Sequence, residues 1–214
     1  ERLFKEVQRD VSLKVERIVN TENFIVSGRG ELHLSILIEN MRREGFELQV
    51  SKPQVIVKEI DGVKCEPYED VQIDVPEEYL GSVIDSLASR GGELVHMVYN
   101  DNQVRVNYVV PSRGLLGFVS NFLTMTKGYG IINHTFKEYR PLLKMNVGER
   151  SIGVLVAVDS GQATPYAIQH VEERGTMFIA PGAQIYEGMI VGENKYNSDL
   201  GVTVVKEKEK TNMR

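Results

Sequence analysis

The chain is 214 residues long, 42% hydrophobic and 26% charged, with a formal net charge of −5 and one cysteine. That composition excludes an intrinsically disordered chain and a disulfide framework, and no run approaches the ~18 consecutive apolar residues of a membrane-spanning helix. The length allows two or three small domains, and the lone Cys65 fits a reducing compartment, so the chain reads as a cytoplasmic monomer without a membrane partner. It opens at Glu1 inside a helical pattern and closes in a polar run to Arg214, which reads as a piece of something longer at both ends.

Charge is unevenly spread. Residues 1–110 carry 13 basic and 20 acidic side chains, residues 111–150 carry 6 and 2, and residues 151–214 carry 6 and 8. A local basic excess on an acidic chain suits a polyanionic partner touched at defined places.

In chain order, Arg2 to Arg9 has helical character, and Val11, Leu13 and Val15 then alternate with polar residues as a strand does. Phe24 to Ser27 is a second strand. Gly28-Arg29-Gly30 opens a helix whose buried stripe is Leu34, Leu37, Ile38 and Met41 and whose stop is Gly45. Phe46 to Ile60, interrupted by Pro53, is extended. Beyond the turn Asp61-Gly62, Val71, Ile73 and Val75 alternate as a strand, and Tyr79, Leu80, Val83, Ile84 and Leu87 recur at helical spacing. Glu93–Tyr99 and Val104–Val110 form a hairpin through Asn100-Asp101-Asn102, one helix runs from Arg113 to Gly128, and Tyr129 to Lys137 is a strand.

That order is β-α-β-β-α-β, the ferredoxin-like arrangement. Residues 1–60 repeat it without the first strand. The expected fold is therefore α+β: two consecutive ferredoxin-like domains, 1–60 and 61–145, each with two helices on one face of a four-stranded sheet. A small mostly-β domain with one helix over Ala163–Arg174 follows in 146–214.

The stretch Pro111–Gly128 carries the most chemistry. A helix N-terminus offers free N–H groups and the positive end of the dipole, Gly114 permits close approach, and Arg113 supplies a forked guanidinium, all of which favour phosphate. Lys127, Lys137, Arg140 and Lys144 follow with interleaved rings and glycines, among which Tyr129 is the candidate exposed ring and His134 a polar contact. Arg29, in the first glycine turn, is a further phosphate candidate.

Catalytic signatures are absent. No phosphate loop occurs, Asn194-Lys-Tyr-Asn197 ends in the wrong residue for guanine reading, and Ser27-Gly-Arg-Gly-Glu-Leu-His33 places histidine where a dinucleotide-binding turn needs glycine. His33, His96, His134 and His170 lie in separate elements with no ligand spacing, so no catalytic or metal site is expected.

Ser27-Gly-Arg-Gly-Glu-Leu-His-Leu with Ile38-Glu-Asn-Met-Arg-Arg-Glu-Gly resembles domain III of the translational GTPases. Pro111-Ser-Arg-Gly-Leu-Leu-Gly-Phe with Phe122-Leu-Thr-Met-Thr-Lys-Gly resembles their domain V. Val171-Glu-Glu-Arg-Gly with Tyr186-Glu-Gly-Met-Ile-Val-Gly resembles the C-terminal domain of the BipA/TypA family.

The resemblance implies a ribosome-binding C-terminal half that touches rRNA, ribosomal proteins and tRNA, from a parent acting in translation, large-subunit assembly and stress or cold adaptation. It also implies that GTP, Mg²⁺ and GTP hydrolysis belong to a domain outside this chain, which itself takes no cofactor. On this reading Arg29, Arg113, Gly114, Lys127, Tyr129, His134, Arg140, Lys144, Arg174, Lys206, Lys208 and Arg214 are the RNA- or ribosome-binding candidates. The alternative, on fold alone, is a small-molecule-sensing regulatory module built from tandem ferredoxin-like domains.

Overall fold

The computed structural model describes residues 1–144, 147 and 152–206. The chain divides into two compact units, Glu1–Ser51 with Arg150–Arg214, and Lys52–Glu149.

The second unit is the more complete. Strands β3 (Lys58–Ile60) and β4 (Val63–Pro76), helix α3 (Glu77–Ala88), strands β5 (Glu93–Asn100) and β6 (Gln103–Pro111), helices α4 (Ser112–Leu115) and α5 (Phe118–Met125), and strand β7 (Ile131–Pro141) succeed one another. Long β4 pairs with β6 from Tyr68 opposite Pro111 to Pro76 opposite Gln103, with β7 from Cys65 opposite Pro141 to Asp74 opposite Ile131, and at its start with β3. β5 pairs with β6, so the four principal strands lie in the ferredoxin-like order β7-β4-β6-β5, all antiparallel.

The period-two residues Val71, Ile73 and Val75 and the β6 residues Val104, Val106, Tyr108 and Val110 meet Leu80, Val83 and Leu87 of α3 and Leu115, Phe118 and Phe122 beneath the second helix pair in one buried core. Each fully buried side chain of this size contributes about 1.5–3 kcal/mol. The opposite face carries exposed Asp70 and Arg105, with Arg105 Nε 2.6 Å from Asp74 and Lys137 Nζ 2.7 Å from Asp70.

The single helix expected over Arg113–Gly128 is broken. Leu116 (ψ 122°) and Gly117 (φ +68°) form the corner of a type II turn, which requires glycine at its second central position. The helix restarts at Phe118 in a new phase. As a result Leu123, which an unbroken helix would carry on the same face as Phe118 and Phe122, is half exposed, while those two rings are fully buried.

In the first unit, α1 (Arg2–Arg9), β2 (Phe24–Ser27) and α2 (Glu31–Arg43) form as expected, whereas β1 (Lys14–Arg17) starts three residues later than the alternation from Val11 suggests: Val11 lies fully exposed in a turn, and the hairpin register runs from Lys14 opposite Ser27. Its core is Leu13, Leu37 and Met41. The expected extension of the β1–β2 sheet by Phe46–Ile60 is not made among the described residues. Residues 46–57 carry no ladder, in keeping with Pro53, which cannot donate to one, and Lys58–Ile60 pairs with β4.

The same unit holds the C-terminal domain. Here β8 (Val154–Ala157), β9 (Gly161–Gln162), α6 (Pro165–Glu172), β10 (Gly175–Met177), β11 (Gln184–Ile185), β12 (Ile190–Asn194) and β13 (Leu200–Val202) form a four-stranded sheet in the order β10-β12-β8-β13 and a small β9–β11 ladder. Helix α6 starts where Thr164 Oγ1 accepts from the N–H of Ala167, with Pro165 at the first helical position. Leu155, Ile168, Val171, Val191 and Val204 fill the core.

Candidate nucleic-acid interface

Arg113 does not face outward. Its Nε lies 2.5 Å from Glu66 Oε2 and its Nη2 3.1 Å from Glu66 Oε1, a two-point pairing with a carboxylate that has no solvent exposure. The same Nη2 donates to the Leu143 carbonyl at 2.7 Å, and the Leu143 N–H donates to Glu66 Oε1 at 2.8 Å. One buried carboxylate thereby ties three parts of the chain: the start of β4, the turn after β6, and the segment leaving β7.

Arg90 completes the clasp. Its Nη1 donates to the carbonyls of Gly114 at 2.8 Å and Leu116 at 3.1 Å, satisfying carbonyls of the short α4, and its guanidinium lies over the Phe118 ring. Burial pushes the Arg90 guanidinium below its ordinary range. Gly114 is buried, and a Cβ there would sit 2.5 Å from the Arg90 carbonyl oxygen. The glycine makes room for the protein's own backbone rather than for a ligand. Glu66 and Arg90 were invisible in the sequence pattern, since a glutamate in a strand and a lone arginine after a helix read as solvated charges.

The other half of the same stretch does face outward. The N–H groups of Lys127 and Gly128 donate to the carbonyls of Thr124 and Leu123 at 3.2 and 2.8 Å, and buried Thr126 donates its hydroxyl to the Phe122 carbonyl at 2.8 Å. This helix-ending turn holds Lys127 (φ +50°) and Gly128 (φ +81°) in left-handed conformations. Exposed Lys127 and Tyr129, the latter 67% accessible, thus flank Gly128 on a fixed backbone. Gly130 behind them is packed so tightly that a Cβ would meet the Phe122 ring at 2.3 Å.

Arg113 and Lys127 are not brought together. Arg113 binds at the Glu66 end of β4, whereas β7 begins after Tyr129 opposite Asp74, eight strand positions away and hence roughly 26 Å along the sheet.

His134 and Arg140, though open to solvent, are paired with the chain's own carboxylates. His134 Nδ1 lies 2.5 Å from Glu69 Oε2, and this hydrogen bond raises the imidazole above its ordinary range against the effect of burial. Burial alone would raise the Glu69 carboxyl, but the hydrogen bonds from His134 and Ser112 outweigh it and hold the group below its ordinary range. Arg140 bridges Glu138 at 2.9 Å and Glu93 at 3.0 Å and lies over the Tyr68 ring.

In the first unit the Gly28–Gly30 turn shows why His33 stands where a dinucleotide turn needs glycine. His33 Nδ1 accepts from the Arg29 N–H at 3.2 Å, which leaves the proton on Nε2 to donate to Asp10 Oδ2 at 2.7 Å. Asp10 also accepts from the Ser12 hydroxyl and N–H, and those bonds, ahead of the one from His33, bring its carboxyl down to about 2. The turn closes on its own histidine, and the Arg29 side chain stays 73% exposed. Of the remaining candidates, Lys144, Arg174 and Lys206 are exposed, and Lys208 and Arg214 lie outside the described residues.

Three family models match in succession: elongation factor G domain III over residues 1–52, the elongation factor G C-terminus over 63–146, and the TypA/BipA C-terminal domain over 152–214. The fold is that of the ferredoxin-like modules of a translational GTPase. More particularly, the chain belongs to the BipA/TypA family. Over its whole length it is 59% identical to the large ribosomal subunit assembly factor BipA of Bacillus subtilis, 49% to that of Escherichia coli K12 and 47% to that of Synechocystis sp.. It spans 35%, 35% and 36% of those proteins' lengths.

Proposed function

We propose that this chain is a ribosome-binding part of a large-subunit assembly factor and works by holding RNA rather than by catalysis. The observation that carries the reading is the end-to-end match to relatives named as large ribosomal subunit assembly factors. The geometry supports a division of labour within it. Lys127 and Tyr129 offer a cation and a stacking ring from a rigid turn, a combination suited to a phosphate and an unstacked base; Arg29, Lys144, Arg174 and Lys206 add dispersed phosphate contacts. Arg113 and Gly114 serve the surface from within by fixing the elements that carry it, while His134 and Arg140 are held on it by Glu69, Glu93 and Glu138. GTP hydrolysis is assigned to no residue of this chain.

Co-sedimentation with purified large ribosomal subunits at graded salt tests the reading. Binding is expected at low ionic strength and should fall as salt rises. The pair Lys127→Ala and Tyr129→Ala should weaken it about tenfold or more, because base stacking on one ring is worth ~1–3 kcal/mol. No binding at low salt, or wild-type binding by the double variant, overturns the assignment.

A further inference from the structure

The first domain and the C-terminal domain are joined by hydrogen bonds outside either buried core. After α2 the chain passes through Phe46–Gln49 without regular secondary structure or a ladder partner. In place of a strand, the Tyr186 hydroxyl donates to the Leu48 carbonyl at 3.0 Å and accepts from the Leu48 N–H at 3.3 Å, so one side chain satisfies both backbone groups of one residue. Next to it, Gln49 Nε2 donates to the Glu187 carbonyl at 3.1 Å.

The C-terminal side of this contact is rigid. The N–H of Gly188 donates to the Ala157 carbonyl at 2.8 Å, the N–H of Ala157 to the Met189 carbonyl at 2.9 Å, and the N–H of Glu187 to Ser160 Oγ at 3.0 Å. Gly188 is glycine for two separate reasons: its φ is +86°, and a Cβ would sit 2.0 Å from the Gln49 side-chain nitrogen. On the other side Leu48 packs against the core of the first domain, so whatever holds Leu48 holds that core.

We propose that the Tyr186-Glu187-Gly188 turn is a latch: it grips the Phe46–Gln49 segment so that the first domain and the C-terminal domain move as one body, and the Tyr186 hydroxyl is its releasable part. A displacement imposed on the first domain is then passed to the C-terminal domain directly through Leu48. The tyrosine suits a releasable joint because the phenol ends in one group that both donates and accepts, and its loss leaves two backbone groups that water can satisfy.

Tyr186→Phe keeps the ring and removes the hydroxyl, and Gln49→Ala removes the second contact; both are mild enough to leave the cores intact. In the 214-residue chain, amide exchange at Leu48 is expected to accelerate by roughly five- to tenfold in Tyr186→Phe, the factor one neutral hydrogen bond is worth. Cleavage of the Glu47–Leu48 bond by a glutamate-specific protease should rise with it, and further in the Tyr186→Phe, Gln49→Ala double variant. Exchange at core amides of α2 and β8 should stay at wild-type rates. Unchanged Leu48 exchange in Tyr186→Phe overturns the proposal. Faster exchange without faster cleavage in either variant overturns it too, because the segment then stays in place without the latch.

Discussion

Two places in this molecule carry the same dipeptide just after a strand, Arg29-Gly30 in the turn after β2 and Arg113-Gly114 in the short α4 after β6, and they use the arginine in opposite ways. The first closes on His33 and Asp10 and leaves Arg29 largely in solvent; the second closes on the arginine itself, with Arg113 paired to the buried Glu66. What decides the difference is the group beneath the turn. A fully buried carboxylate must have a partner, and Arg113 is within reach of Glu66. Where the turn holds a histidine with a partly exposed aspartate beside it, His33 and Ser12 supply the close hydrogen bonds and Arg29, still largely in solvent, adds only a long 3.9 Å ion pair to Asp10. The same residue pair is therefore a structural clasp in one domain and an open contact in the other.

The largest expected effect lies at the clasp. Arg113→Met leaves the Glu66 carboxylate buried and unpaired, which should destabilise the second unit by about 3 kcal/mol, since breaking a buried pair typically costs ~3–5 kcal/mol and Arg113 keeps some solvent access. For a domain of this size that is a fall in Tm of roughly 12 °C or more, readable by calorimetry. Next comes the histidine turn. His33→Ala frees the Arg29 N–H and one Asp10 oxygen and should cost about 1–2 kcal/mol by denaturant unfolding of the first unit. If His33→Ala costs more than Arg113→Met, the ranking that underlies the comparison is wrong.

A smaller effect should appear as pH dependence at His134–Glu69. The imidazole is raised in the folded state, so its contribution is complete below the unfolded value of ~6.5 and is lost as pH rises through the folded value. The Glu69 carboxyl is lowered, so its contribution is present above ~4.3 and is lost as pH falls through the folded value. Unfolding free energy measured from acid to mildly basic pH should therefore show a broad maximum between those limits, and His134→Gln should flatten its alkaline side. The smallest effect belongs to Arg29→Ala, expected to change stability by no more than ~0.5 kcal/mol while weakening large-subunit binding at low salt.

Periodicity carried most of the fold. The alternation at Val71, Ile73 and Val75, the helical spacing from Tyr79 to Leu87 and the Asn100–Asn102 turn lead straight to the strand order of the second unit, because each reports directly which face is buried. What stayed hidden depended on contacts distant in sequence. Nothing near Phe46–Gln49 announces that Tyr186 will take the place of a ladder. The break at Leu116–Gly117 had only Gly117 as its signal, inside an otherwise convincing helical pattern.

At the site, Lys127 and Tyr129 were legible as an exposed pair because Gly128 marks the helix end. Arg113 was misplaced because a helix N-terminus with arginine and glycine looks the same from sequence whether the guanidinium meets an outside phosphate or an inside carboxylate. Glu66 settles it, 47 residues away.

The central claim, that Arg113 is an internal clasp, is tested most directly by a double-mutant cycle. Unfolding free energies are measured for Arg113→Met, Glu66→Gln and the double variant. The account predicts strong non-additivity, with the double variant at least ~2 kcal/mol more stable than the sum of the single losses implies, as expected for two groups that need each other in a buried site. Losses that add to within ~0.5 kcal/mol, the behaviour of independent positions, would contradict it.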